Sequence, residues 1–227
     1  MANILPKSFY DRRTIDVATD LLGKFLCRKI GRNTYKGRIV EVEAYLGAKD
    51  LACHTSKGKT PRNEVMFGPP GHAYVYFIYG MYHCFNVVTE KEGNPCAILI
   101  RALEPIDEIR KFRNCDTRLI SKFPGFPISD PSTTCGNNEN KSSKNLHGKS
   151  IYNMLNGPAK LCRELMIDRK LNGWDLTSGK QLWIEKGETI RSGRIKKSKR
   201  IGVDYAGNWK DRLLRFYIKN NEYISKE

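Results

Sequence analysis

The chain has 227 residues, of which 40% are hydrophobic and 10% aromatic, and its 40 Lys and Arg against 24 Asp and Glu give a formal charge of +16. That composition can bury a substantial core, and no apolar stretch approaches bilayer length, which excludes a disordered or membrane-spanning chain. The basic excess calls for a polyanionic partner, with nucleic acid ahead of an anionic membrane and plain colloidal solubility as the bland alternative.

The opening "MANILPKSFYDRR" has no apolar segment of signal-peptide length, so export is not expected and a cytoplasm is. From Thr14, "TIDVATDLLG" reads as a helix with a capping hydroxyl, an apolar stripe of Ile15, Ala18 and Leu22, and Gly23 as its stop. "KFLCRKI" and "YKGRIVEVEAYLG" then read as two strands joined by "GRNT". Period-two alternation in the second puts Ile39, Glu41, Glu43 and Tyr45 on one face and Val40, Val42 and Ala44 on the other. Residues 48–72, rich in Gly, Pro and polar side chains, read as a long loop of the functional or disordered kind.

Strands follow at Tyr74–Tyr79, Tyr82–Thr89 and Cys96–Arg101, and Gly80-Met81 suits a two-residue turn that puts Tyr79 beside a hairpin tip. A short helix is expected over 106–112, and a flexible polar insert over 115–150. "NGPAKLCRELMI" reads as a helix opened by Pro158, and "LWIEKG", "KRIGVDY" and "LRFYIKN" as closing strands. Seven cysteines, at 27, 53, 84, 96, 115, 135 and 162, form no CxxC pair. They argue against a disulfide framework, and Cys53-His54 and His83-Cys84 lack finger-type spacing for zinc.

Glu41 and Glu43 are two carboxylates in an otherwise apolar strand. A Glu facing a desolvated cleft acts as a general base near neutral pH, whereas a Glu on a solvated face simply pairs with Lys or Arg, and alternation does not choose between them. Arg101, ending "AILIR", needs a carboxylate or phosphate partner. The run "YVYFIYGMYHCFN" has the character of an ordinary strand, but Tyr79 at a hairpin tip of a basic chain could wedge between base pairs. His54 and Asn86 carry no decisive signal alone. "RIKKSKR" at 194–200 reads as a solvated face, with phosphate contact or a nuclear address as sharper options.

Taken in order, "RIVEVEAYLG", "HTSKGKTPRN", "MFGPPGHAYVYFIYGMYHCFNVV", "AILIRALEP", "GPAKLC" and "RIGVDYAGNW…LRFYI" resemble the alkyladenine (3-methyladenine) DNA glycosylase family. The resemblance spans most of 5–112 and 150–220 and is weakest over 113–150. It implies a monofunctional enzyme that removes alkylated or deaminated purines from double-stranded DNA by hydrolysing the N-glycosidic bond, with no metal or organic cofactor. Glu43 matches the general base that activates water, and Arg101 a residue that helps hold it. Tyr45, His54 and Tyr76 match the pocket around the flipped base, and Asn86 its floor, where it disfavours guanine's exocyclic amino group. Tyr79 matches the side chain that fills the gap in the duplex, with Met81 beside it. The expected architecture is one α/β (α+β) domain, a curved, mostly antiparallel sheet flanked by helices, acting as a monomer. The rivals are a non-catalytic damaged-DNA-binding protein and a metal-dependent nuclease.

Overall fold

The chain's shape follows from how its alternating strands find partners. The computed structural model describes residues 3–78, 80–106 and 155–226. A short helix α1 (Lys7–Tyr10) precedes α2 (Thr14–Leu21), whose Val17, Ala18 and Leu21 are fully buried. Thr14 is the first helical residue instead of the cap, and its hydroxyl bonds the side chains of Thr89 and Glu90. After α2 the chain turns at Gly23, whose φ is +84°. A Cβ there would lie 2.7 Å from the carbonyl oxygen of Glu188, so only glycine fits the turn.

Among the described residues eight strands follow: β1 (Phe25–Ile30), β2 (Asn33–Tyr45), β3 (Ala73–Ile78), β4 (Tyr82–Thr89), β5 (Cys96–Pro105), β6 (Leu182–Glu185), β7 (Ile195–Ser198) and β8 (Arg215–Ile218). They form one sheet in the order β3-β4-β5-β2-β1-β6, with β8 joining β2 to β7. Every pairing is antiparallel. The sheet curls into a half-barrel, giving the single-domain α+β fold expected from the sequence. Helix α3 (Pro158–Glu164) packs on β4 and β5, with Pro158 in its first turn as expected.

β2 is the hub, because it pairs with β1, β5 and β8. Val40, Val42 and Ala44 join Phe85, Ile98, Ile100 and the apolar faces of α2 and α3 in the main core. A smaller cluster holds Cys53, Met66, Tyr74, Val88 and Ala97, with Tyr45 and Tyr76 packed against it. Both faces of this strand are covered, which is why its alternation separates two kinds of interior.

Three local expectations change. The strand expected in "KRIGVDY" forms earlier, at Ile195–Ser198, because Arg200 turns inward to Asp50 and Gly202, at φ +75°, breaks the extended run. Ile78 pairs with Tyr82, so three positions, 79–81, separate the strands where two were expected. The 48–72 stretch is tied by its own polar groups: Asn63 donates to the carbonyls of His54 and Gly58 at 2.9 and 3.0 Å and accepts from the Thr60 amide at 2.7 Å. The helix expected over 106–112, the insert over 115–150 and Tyr79 lie outside the described residues, apart from Ile106.

Candidate active site

Along β2, Glu41, Glu43 and Tyr45 point away from the main core as alternation implied, but Ile39, expected on their face, is buried in the main core beside Val40, because the β2–β5 register shifts between Ile39 and Glu41. Neither glutamate is solvated: both are completely buried. Their partner is Arg101 of β5, whose Nε lies 3.0 Å from Glu41 Oε1 and whose Nη1 lies 3.2 Å from Glu43 Oε1. The guanidinium thus bridges the two carboxylates. The β2–β5 ladder is irregular at this point, where Glu41 aligns with Ala102 while Val42 aligns with Ile100. Irregularities of this type re-aim side chains near sites.

Glu43 Oε1 also accepts the Ile201 amide at 2.8 Å, and its Oε2 accepts the Tyr45 hydroxyl at 2.9 Å. Burial pushes the Glu43 carboxyl above the usual range, against the opposing pull of Arg101, the Ile201 amide and the Tyr45 hydroxyl, while Glu41 adds to the rise. An ionised carboxylate offers about four acceptor positions, so these three donors leave room for one more. For Arg101, burial works against the charge, but Glu43 and Glu41 outweigh it and hold the guanidinium charged.

A cavity of about 480 Å³ opens over this pair. Tyr45, His54, Tyr76, Asn86 and Arg101 all line it, so the structure brings together five of the residues singled out in the sequence. Glu43 sits behind that wall, covered by Tyr45 and Arg101. Met81 is 63% exposed in the β3–β4 turn, away from the lining.

The aromatic side of the cavity is rigidly built. His54 meets the Tyr76 ring edge-on, with centroids 4.5 Å apart, and its Nδ1 is 2.9 Å from the Tyr74 hydroxyl. Burial, and then the nearby Arg62 guanidinium, pull the His54 pKa down to about 4, so the imidazole is neutral at physiological pH. Asn86 is buried and donates to the Tyr74 carbonyl at 3.1 Å, which fixes its side chain in the cavity lining.

Several contributors carried no usable sequence signal. Arg200 and Asp50 form a fully buried bidentate pair at 2.5 and 2.8 Å, and the Arg200 guanidinium stacks 4.7 Å from the Tyr45 ring centroid. Arg200 thereby departs from the solvated face expected of its basic run. Its only hint is Asp50, the one acid between residues 44 and 63. Arg62 lies 5.5 Å from the Tyr76 ring centroid and donates to the Phe77 carbonyl at 3.1 Å. Tyr205, 70% exposed, and Ile201 supply another part of the lining from the loop after β7.

The Tyr45–Glu43 bond has a measurable consequence. Tyr45→Phe keeps the ring but removes a donor that stabilises the carboxylate, so the Glu43 pKa rises further. The midpoint of Glu43 ionisation is expected to move to higher pH in an NMR titration of the variant beside the wild type. Among the described residues no group of three or more His, Cys, Asp or Glu side chains could hold a metal ion, and no helix is long and apolar enough to cross a membrane.

An aromatic cavity backed by a buried acid on a strongly basic chain belongs with enzymes that act on one base at a time, and known proteins agree: this is a DNA glycosylase. More narrowly, the chain belongs to the methylpurine-DNA glycosylase family, whose model matches residues 8–222. It is 47% identical over 224 residues to a protein of Carboxydothermus hydrogenoformans, covering 99% of this chain and 100% of that one. A protein of Methanocella arvoryzae is 45% identical over 223 residues, 98% of this chain and 96% of its own. One from Legionella pneumophila strain Corby is 46% identical over 222 residues, 98% of each. All three are provisionally named 3-methyladenine DNA glycosylase.

Proposed function

We propose that the protein is a monofunctional, metal-independent glycosylase that works as a cytoplasmic monomer on double-stranded DNA. It flips alkylated or deaminated purines out of the helix and hydrolyses the N-glycosidic bond with a water activated by Glu43. Extruding a nucleotide costs a few kcal/mol, least for a poorly paired base, and Tyr79 with Met81 offsets this from within the duplex. The extruded purine stacks against Tyr45, Tyr76 and His54, each such contact being worth about 1–3 kcal/mol. Asn86 at the floor disfavours the exocyclic amino group of guanine.

Glu43 takes a proton from the water as its oxygen bonds to the sugar C1′, and the purine departs with the electrons of the broken C1′–N bond. Arg101 holds the water and keeps Glu43 ionised. The reading rests on one observation: the fully buried Glu43 carboxyl, with a raised pKa, sits directly behind the aromatic wall in the grip of Arg101. A carboxyl so placed is a better base near neutral pH than an exposed one.

The test is a labelled duplex with one hypoxanthine or ethenoadenine, incubated with the protein in EDTA and then treated with hot alkali. Alkali-dependent breaks are expected, with none before alkali. Breaks without alkali would instead indicate lyase or nuclease chemistry, and binding without breaks a damaged-DNA-binding protein. Asn86→Ala is expected to raise release of undamaged guanine relative to hypoxanthine by roughly tenfold, measured on matched duplexes, because the floor no longer discriminates against the amino group.

A further inference from the structure

Beneath Glu43 lies a second layer of charge that the proposed chemistry does not use. Glu41 Oε1 accepts Arg101 Nε at 3.0 Å, Arg215 Nε at 2.7 Å and the Ser225 hydroxyl at 2.8 Å. Its Oε2 accepts the Ser225 amide at 2.5 Å. Ser225 Oγ in turn accepts Arg101 Nη2 at 3.2 Å. Arg101 is therefore held at three points, by Glu41 through Nε, Ser225 through Nη2 and Glu43 through Nη1. A planar guanidinium fixed at three points has one orientation.

Charge balance explains why the second layer exists. A buried Glu41 facing only Arg101 would compete with Glu43 for its single positive charge. Arg215, 3% exposed and anchored to the Ser198 hydroxyl and the Lys226 carbonyl, supplies the second cation, so that two carboxylates face two guanidiniums. The segment carrying Ser225 is pinned by Tyr223, 8% exposed in the main core, and by Asn221, which donates to Glu104 at 2.9 Å.

We propose that Glu41 and Ser225 are positioning residues of the active site, holding Arg101 in the orientation that presents its Nη1 to Glu43. This rests on the reading of Glu43 as the base. Ser225 acts through a hydroxyl that donates to Glu41 and accepts from Arg101, so the segment after β8 helps build the catalytic centre although it does not line the cavity.

The experiment is single-turnover release of hypoxanthine across mildly acid to alkaline pH, with duplex affinity and thermal unfolding measured alongside, for Ser225→Ala, Ser225→Thr, Glu41→Gln and Glu43→Gln. Ser225→Ala is expected to slow release by about tenfold with unchanged duplex affinity, since it loses hydrogen bonds to charged groups. Ser225→Thr, which keeps the hydroxyl, is expected to restore the rate. Glu41→Gln is expected to move the acid limb to lower pH, because it removes a like charge beside Glu43 and leaves Arg101 wholly to it. The titratable groups around Glu43 are Glu41 and Tyr45 of β2, Arg101 of β5, Tyr76 of β3, Cys84 of β4, Arg200 after β7 and Arg215 of β8, and only Glu41 changes charge in that variant.

If Glu41→Gln does not fold, the Ser225 pair alone decides. Wild-type rates in Ser225→Ala, or a loss matched by loss of folded protein and not restored by threonine, would overturn the proposal. An inactive Glu43→Gln alongside a fully active Ser225→Ala removes the positioning role only. An active Glu43→Gln removes the general base and the positioning role with it.

Discussion

Glu43→Gln is expected to lower base release by about 10²–10⁴-fold or more, the range of general-base contributions, while leaving affinity for damaged duplex intact. The amide matches the carboxylate in size and can still accept the Ile201 amide, but it cannot take a proton from water. Arg101 keeps Glu41, so its charge is not stranded in the interior. The cavity wall of Tyr76, His54 and Asn86 does not depend on residue 43, which is why binding survives. In the wild type, release is expected to fall as pH drops through the raised Glu43 pKa, so the acid limb lies above the usual carboxylate range. The measurement is the alkali-cleavage assay under single turnover, with duplex affinity read by fluorescence anisotropy. A variant that keeps a tenth of wild-type activity would remove Glu43 from the role of base.

The largest effect on stability is expected from Asp50→Ala. Asp50 and Arg200 are both fully buried, and the two carboxylate oxygens take both terminal nitrogens of the guanidinium. Arg200 Nε has no hydrogen-bond partner among the described residues, and what remains without Asp50 is the Ala44 carbonyl at 3.0 Å, the Trp209 carbonyl at 3.5 Å, the Tyr45 ring and the more distant Glu43, none of which is a directly paired carboxylate. Removing one member of a buried pair costs about 3–5 kcal/mol, because an uncompensated charge stays behind. For a chain of this size each kcal/mol lowers Tm by about 2–4 °C, so a drop of roughly 6–20 °C is expected by calorimetry or circular dichroism. Asp211→Ala, which breaks the exposed pair with Lys199, is the contrast and should leave Tm unchanged within error. A Tm for Asp50→Ala equal to that of Asp211→Ala would show the buried pair to be dispensable. Activity should fall in parallel, since the Arg200 guanidinium backs the Tyr45 ring.

How much of this was legible follows from how local each signal is. The period-two run put Glu41, Glu43 and Tyr45 on one face through the pleat of a strand, whereas the irregularity that turns Ile39 into the main core left no trace in the sequence. Arg101 was legible as a charge in need of a partner, though its partners lie 58 and 60 positions away and only the fold names them. His54, Tyr76 and Asn86 entered through the family resemblance, and residues alone left each of them open. Asp50 with Arg200 and Glu41 with Ser225, which are 150 and 184 positions apart, were invisible. Pairing at that range leaves no periodic trace, and Arg200 stands in a basic run that looks like a solvated face. The misplaced strand in "KRIGVDY" has the same origin, since an apolar stretch bounded by charges gives no sign that one of those charges is drawn inside.

The long reach of these pairings also orders events in time. β2 is made early, but the Ile201 amide that Glu43 accepts lies 158 positions later, and the Arg215 and Ser225 groups that balance Glu41 lie 174 and 184 positions later. Contacts at that separation carry the largest loop-closure entropy and are expected to form late in folding. Until the residues after β7 have been made, Glu43 and Glu41 have only Tyr45 and Arg101 among these partners. The polar surroundings of the buried acid are therefore expected to be completed only when residues 201 to 225 have docked.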